Sequence, residues 1–356
     1  MKVLYCLPTQ RFFLKEMGGS VSHAMGFIDG LSDNDVKSTL VSGLNASTYI
    51  KNSNVNFITI KHANIFFWWC SLLYRTFTSV RSFDRVVIRW RPIVPYLFFP
   101  VVLLSKNCWI ELNGFTGLDS KFFIIRKFVQ LSLWIASRYF NIIVVSDFSK
   151  KQLVSMFTKV KNVYVMPNGY DKGCYSQMVT IAEGLPSLIY FGANKSYYDW
   201  DILFEVASAL KRENLIGGLH IWGFVAPNDK QINSVFFHGP FQKSELTKTL
   251  AEVSKPILVI HSSNNEIALS GSPMKLYEYC GLGLPIVASD SLTAQAIDFD
   301  AINFYKAGNR DSMRDVINKT VVNYDTELRR AKNNTLVAEK NFTWTSIVKK
   351  WVQAYE

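Results

Sequence analysis

Short apolar runs alternate along this chain with longer segments whose apolar residues recur every three or four positions. The runs VLYCL, STLVSGL, VNFITI, DRVVIRW, CWIELNG, NIIVVSDF and NVYVMPNG read as strands in the first half. Between them, VSHAMGFIDGLS, NIFFWWCSLLYRTFTSVRSF, LFFPVVLLSK, KFFIIRKFVQLSLWIASRYF and DFSKKQLVSMF read as helices. The second half repeats the alternation, with strands PSLIYFGAN, LHIWGF, PILVIHSS, LPIVASD and INFYKAG. Its helices are WDILFEVASALKREN, KSELTKTLAEVS, PMKLYEYCGLG, SMRDVINKTV and a final FTWTSIVKKWVQAY. Strands alternating with helices of ten or more residues predict βαβ units and parallel sheets. Two such sets meet near MPNGYDKG (166–173), so the pattern predicts two doubly wound α/β domains with a cleft between them.

Size agrees, since 356 residues exceed one comfortable core. Hydrophobic residues make up 49% and charged residues 19%, a globular balance. The five cysteines (Cys6, Cys70, Cys108, Cys174, Cys280) form no Cys-x-x-Cys, and the five histidines show no short ligand spacing. This argues against a disulfide framework or a zinc cluster and suits a reducing, cytoplasmic compartment. The first apolar run is too short for a secretory leader. The nearest approach to a spanning segment, IVPYLFFPVVLLS (93–105), carries two prolines and falls short of the roughly 18–20 apolar residues of a spanning helix. Charge changes the picture more: residues 1–170 carry 20 Lys and Arg against 8 Asp and Glu, whereas residues 171–356 carry 19 against 20. All of the +11 excess lies in the first half, which points to an anionic partner there.

Ligands of doubly wound sheets collect beyond the carboxyl ends of the strands, at helix starts. Gly18 and Gly19, between the first strand and first helix, would let a ligand reach backbone N–H groups; an ordinary loop explains them equally well. In SGSPMKLYEYCGLGLPIVASD (270–290), Ser272 suits a cap, Pro273 the first helical position, and Gly281 or Gly283 the end. Lys275 and Glu278 then share a helix face. A lysine there meets phosphate as a point charge, and a carboxylate accepts paired sugar hydroxyls. The alternative is an exposed ion pair worth under about 1 kcal/mol, and spacing alone favours it.

The stretch SPMKLYEYCGLGLPIVAS resembles the signature of GT-B glycosyltransferases, specifically the retaining family-four (group 1) enzymes of bacterial polysaccharide biosynthesis. Other pieces fall in that family's order: Gly18-Gly19, FDRVVIRW (83–90) with WIELNG (109–114), VVSDFSKKQL (144–153), VMPNGYD (165–171), YFGAN (190–194) and FHGPF (237–241). The resemblance implies two Rossmann-like domains facing a central cleft. Residues 1–168 would bind the acceptor and 169–339 the nucleotide sugar, with a helix over 340–356 crossing back to the first domain. Glu278 would bind the ribose hydroxyls. Ser270, Ser272, Pro273, Met274 and Lys275 would lie along the diphosphate and donor sugar, and Gly192 with Lys195 near the phosphates. Gly239 and Phe241 would border the base. Gly18, Gly19, His23, Glu111 and Asn113 would line the acceptor side, with Glu111, Lys195 and Glu278 closest to the chemistry. A structural role explains His23 as well.

Two positions depart from the family pattern. Its usual pair of glutamates, eight residues apart, places Ser270 where the first would stand, and Ala193 and Asn194 precede Lys195 with no arginine beside it. The Asp-x-Asp triplets at 33–35, 199–201 and 298–300 fit turns and helix caps better than a metal diphosphate site. No metal or other cofactor is expected, because cationic side chains and helix dipoles serve the leaving diphosphate in this fold.

The expectation is therefore a metal-independent, retaining transferase that takes a UDP- or GDP-linked sugar. Its acceptor would be a glycan or a polyprenyl-diphosphate-linked glycan, in polysaccharide or lipopolysaccharide assembly. Domain closure would exclude water. Arg85, Arg89 and Arg91 interleave with Trp90, and Arg126, Lys127 and Arg138 lie on an apolar helix. These suggest a surface that rests on anionic lipid at the inner face of the cytoplasmic membrane. No nucleic-acid motif accompanies the charge. Three alternatives stay open: a sugar-nucleotide epimerase of the same fold, an inactive membrane-associated scaffold, and an inverting enzyme using Glu111 or His23 as base.

Overall fold

A computed structural model describes residues 1–10, 19–48, 50, 54–105, 107–115, 117–175, 181–226, 232–242, 245–263, 271–293, 296 and 298–355. The chain divides into two compact units, one of Met1–Asn168 with Trp344–Glu356 and one of Gly169–Thr343.

The first unit is built on seven parallel strands. Their order is β3 (Val55–Thr59), β2 (Lys37–Ser42), β1 (Lys2–Cys6), β4 (Arg85–Arg89), β5 (Cys108–Leu112), β6 (Asn141–Val144) and β7 (Asn162–Val165). The chain steps one way across the sheet through α1 (Gly19–Asp33). It steps the other way through α2 (Ile65–Ser79), α3 (Val94–Leu97) with α4 (Phe99–Leu104), α5 (Phe123–Tyr139) and α6 (Asp147–Met156). Right-handed crossovers thus place α2 to α6 on one face and α1 on the other. Accordingly Trp68 and Leu72 of α2, Val101 of α4, Val129 and Leu133 of α5 and Leu153 of α6 share one apolar cluster.

A parallel strand covered on both faces is buried at every position, and all five residues of β4 are. This corrects part of the expected basic surface. Arg85 is buried with its guanidinium 4.8 Å over the Trp351 ring, and Arg89 is buried too. Only Arg91, beyond the strand, is exposed. The exposed apolar surface lies instead on the helices. Ile65, Phe66 and Phe67 open α2, and Phe122 to Ile125 open α5, with Phe122 70% and Ile124 81% exposed.

The other face of this sheet carries α1. Against it packs the last helix, α13 (Trp344–Gln353), through a seam that two glycines create. Gly26 and Gly30 are four apart and so share a face. A Cβ on Gly26 would overlap the Trp344 indole, and one on Gly30 would sit 2.7 Å from the Trp344 carbonyl oxygen. Asn34 donates to the Gly30 and Thr345 carbonyls at 2.7 and 2.9 Å, and Thr345 Oγ1 donates to Asp33 at 2.7 Å. The Asp33-Asn34-Asp35 triplet therefore ends α1 and ties down α13, with Asp35 in the left-handed region (φ 57).

The second unit has six parallel strands, ordered β10 (Val235–Gly239), β9 (Gly218–Trp222), β8 (Ala182–Phe191), β11 (Ser254–Ile260), β12 (Ile286–Ser289) and β13 (Ile302–Tyr305). Its helices are α7 (Lys172–Tyr175), α8 (Trp200–Arg212), α9 (Leu246–Ala251), α10 (Met274–Leu282), α11 (Arg310–Val322) and α12 (Tyr324–Asn341). The eighteen residues of α12 form an element the hydrophobic pattern does not announce. They reach Asn341, so the final helix begins at Trp344 rather than 340. Among the described residues no helix is long and apolar enough to cross a membrane.

Candidate functional site

In the first unit three of the expected acceptor residues, His23, Glu111 and Asn113, lie near the ends of β4 and β5. Glu111, the fourth residue of β5, is fully buried. Its Oε1 accepts from Arg89 Nη1 at 2.9 Å and faces His23 Nε2, while Tyr5 Oη donates to Oε2. Burial alone would raise the carboxyl pKa. The Arg89 charge, then His23 and the Tyr5 hydroxyl, overcome it and hold the group at about 2. A carboxylate so held is a poor proton acceptor near neutrality, so the arrangement gives it the part of a buried counter-ion. His23 is buried as well: its Nδ1 meets Asn168 Oδ1, and its ring sits edge-on to Trp344 at 4.8 Å. Both ring nitrogens are engaged inside the unit, which is the structural reading of this histidine.

Above this network lies a cavity of about 220 Å³, lined by Thr9, Arg89, Trp90, Arg91, Glu111 and Asn113 among others. Asn113, expected on the acceptor side, lines this cavity. Gly19 is the first residue of α1, and Gly18 lies outside the described residues. Arg91 and Trp90 were flagged only as surface charge. Their place just past the end of β4 is the signal that could have put them in the site.

In the second unit the helix of the quoted motif, α10, starts at Met274. Pro273 rather than Ser272 stands at its cap, with no capping side-chain bond. Ser272 is buried, and its hydroxyl meets Tyr277 Oη at 3.2 Å. Gly283 ends the helix in the left-handed region (φ 64), a position that favours glycine. Met274 and Lys275 are partly exposed in the first turn.

Lys275 and Glu278 do not behave as an exposed surface pair. Lys275 Nζ lies 3.4 Å from Tyr198 Oη and stands over the rings of Tyr190 and Tyr198, at 4.8 and 5.3 Å. Gly192 (φ 141) makes this approach possible, because a Cβ there would overlap the lysine's end. Glu278 is only 6% exposed and lies beside the Tyr175 hydroxyl, whose pKa burial and then this carboxylate push well above the phenolic range. His261, just past β11, is buried among Tyr190, Tyr198 and Trp200, with ring centroids 5.2, 4.9 and 4.2 Å away. Burial first, then the Lys275 charge, hold its pKa well below the usual histidine range.

The lysine brought against Gly192 is therefore Lys275, whereas Lys195 is exposed in the turn that follows β8. Gly239 ends β10 at φ 73, and Phe241 packs on Phe191 with ring centroids 5.9 Å apart. Ser270 lies outside the described residues. Cys280 is buried in α10. Asp199 precedes α8 without a capping bond, and the Asp300 carbonyl accepts from Arg330. Tyr190, Tyr198 and His261 escaped the sequence reading. Two of them sit where strands end, Tyr190 in the last two residues of β8 and His261 one residue past β11.

No protein-family model matches the sequence, and no curated protein sequence matches it either. Solved structures do. The chain is similar to HepE from Anabaena in complex with UDP-glucose, at 13% identity over 100% of this chain and 99% of that one, with a TM-score of 0.72. It is similar to a glycosyltransferase from Rickettsia africae at 11% identity, 99% and 97% coverage and a TM-score of 0.72. It is also similar to WaaG, a glycosyltransferase involved in lipopolysaccharide biosynthesis, at 13% identity, 99% coverage of both chains and a TM-score of 0.66. These full-length likenesses to GT-B glycosyltransferases fix the class of fold, with two Rossmann-like units on seven and six parallel strands. The fold is GT-B.

Proposed function

We propose that this protein is a glycosyltransferase that takes a sugar from a UDP- or GDP-linked donor and delivers it to a glycan or lipid-linked acceptor. The observation that carries the reading is the start of α10. Lys275 is set against the open backbone of Gly192, and a buried Glu278 stands one turn on. This occurs in a fold shared with a protein seen in complex with UDP-glucose. Glu278 accepts the ribose hydroxyls; a carboxylate has about four acceptor sites, enough for Tyr175 and a sugar together. Lys275 and the amino end of the nine-residue α10 stabilise the leaving diphosphate as charge develops. No metal is invoked, and the anomeric configuration is retained.

The exposed phenylalanines and isoleucines opening α2 and α5, with Lys121, Arg126 and Lys127 beside them, support contact with an anionic membrane surface. The reaction then belongs to cell-surface polysaccharide assembly at the cytoplasmic face. Replacing Ile124 and Phe123 by serine should weaken sedimentation with anionic vesicles several-fold while nucleotide binding is unchanged.

The test of the core reading is a thermal-shift series with UDP, GDP, ADP and CMP on the wild type and Glu278→Ala. A nucleotide at 100 times its Kd adds about 2.7 kcal/mol to folded-state stability. A shift with UDP or GDP that disappears in the variant supports the donor site and names the nucleotide. No shift with any of the four sinks the reading and leaves an inactive scaffold.

A further inference from the structure

Lys275 sits in a corner that the rest of the second unit builds around it. Its Nζ donates to the Tyr198 hydroxyl at 3.4 Å and lies 4.8 and 5.3 Å from the Tyr190 and Tyr198 ring centroids, inside the reach of a cation–π contact. The two rings meet edge to face at 5.6 Å, and His261 closes the corner behind them. Burial keeps these walls uncharged: it is the first cause raising the pKa of Tyr190 and of Tyr198, and the first cause holding His261 neutral. The imidazole, whose ring nitrogens meet no hydrogen-bond partner among the described residues, serves as a third aromatic wall. Backbone bonds sew the corner in place. Tyr190 Oη donates to the Ala193 carbonyl at 2.8 Å, which fixes the turn after β8. Tyr198 bridges Ser262, the Asp199 N–H donates to the His261 carbonyl at 2.9 Å, and the Ser263 N–H and hydroxyl donate to the Tyr197 carbonyl at 2.8 and 2.9 Å. Gly192 is fixed as well, its N–H donating to the Trp222 carbonyl at 2.8 Å, and its bare Cα leaves room for the ammonium. Ordering a lysine costs rotamer freedom. The rings offset that cost before any ligand arrives, and a ring face holds an ammonium without cancelling its charge.

We infer that Tyr198, with Tyr190, is a positioning residue for the diphosphate of a nucleoside diphosphate: the two rings hold the Lys275 ammonium beside Gly192, where it meets the phosphate oxygens. The place is the carboxyl end of β8, where ligands of doubly wound sheets collect. The inference rests on the donor-site reading of α10 and adds to it the residues that set the lysine. Neither tyrosine needs to touch the nucleotide; each acts through Lys275, whose charge is aimed in advance.

The test is calorimetry of the full chain with UDP, UMP and uridine, and with GDP, GMP and guanosine. Each is run on wild type, Lys275→Ala, Tyr198→Phe, Tyr198→Leu and the double variant Tyr198→Leu with Lys275→Ala. The wild type should bind one diphosphate at least about tenfold tighter than its nucleoside. Lys275→Ala should remove most of that preference and Tyr198→Leu about fivefold of it, while Tyr198→Phe, which keeps the ring, stays within about twofold of wild type. The double variant should be no worse than Lys275→Ala alone, because the tyrosine works through the lysine. Nucleoside affinity is the control, since a tyrosine that merely props up the fold would, when replaced, weaken nucleoside and diphosphate alike. Equal losses for both in Tyr198→Leu, an undiminished diphosphate preference there, or a further loss in the double variant would each overturn the inference. Those outcomes leave the donor reading standing, because the wild type still binds a nucleotide; a wild type that binds none of the six compounds sinks both.

Discussion

Each unit buries a glutamate near the end of its sheet, and the two are held in opposite ways. Glu111 is surrounded by an arginine, a histidine and a tyrosine, and its pKa is driven down to about 2. Glu278 lies against a phenol, while the lysine one turn before it turns to two tyrosine rings and a glycine. A carboxylate locked to cations is spent on the fold. A carboxylate beside a neutral hydroxyl keeps acceptor capacity for a ligand. Burial and residue type are alike at both positions; the neighbours divide the roles.

The largest effect that tests this contrast is Glu111→Gln. It strands Arg89 and His23 in a buried site, and breaking such pairs costs about 3–5 kcal/mol. Urea denaturation should show that loss, and a variant as stable as wild type would refute the counter-ion role. The pH dependence follows from the same group. The folded-state pKa lies near 2 against an ordinary 4.5, so the unfolded chain takes up the proton first as pH falls. The stabilisation is fully present above about pH 4.5 and is lost progressively toward pH 2. Tryptophan-fluorescence melts should therefore show an acid-labile step that Glu111→Gln flattens.

Gly30→Ala comes next. Its methyl would meet the Trp344 carbonyl, and overpacking of this kind costs about 1–3 kcal/mol, readable as a lower Tm with nucleotide affinity unchanged. Smallest in stability is Glu278→Gln. It keeps the shape and a partner for Tyr175, so denaturation should move by about 1 kcal/mol, while UDP or GDP affinity falls at least tenfold. Equal losses in both readouts would erase the distinction between the two glutamates.

Much of this was legible in advance. Buried parallel strands announce themselves as unbroken apolar runs, and the paired sets gave two units. What stayed hidden has physical reasons. The buried stripe of α12 is Tyr324, Glu327, Ala331, Asn334 and Ala338, where two polar residues stand in for apolar ones. Asn334 bonds the Ala301 carbonyl at 3.2 Å, and Glu327 accepts from Asn303 at 3.1 Å and from Arg330. Hydrogen bonds satisfy that stripe, so hydrophobic spacing cannot reveal it. Arg85 and Arg89 look like surface charge for the converse reason, since their partners, Trp351 and Glu111, are distant in sequence. In the second unit, spacing put Lys275 and Glu278 on one face, but not the tyrosines that draw them apart.

The seam between α1 and α13 also has a consequence for synthesis. The strands and first helix of unit 1 emerge early, yet the helix that covers Gly26 and Gly30 is made only after the whole second unit. At about 5–20 residues per second, the intervening unit delays that cover by roughly 10–35 s. For that interval the nascent chain presents one finished sheet with a groove cut to fit a single missing tryptophan. The second unit must be threaded out before the first can close.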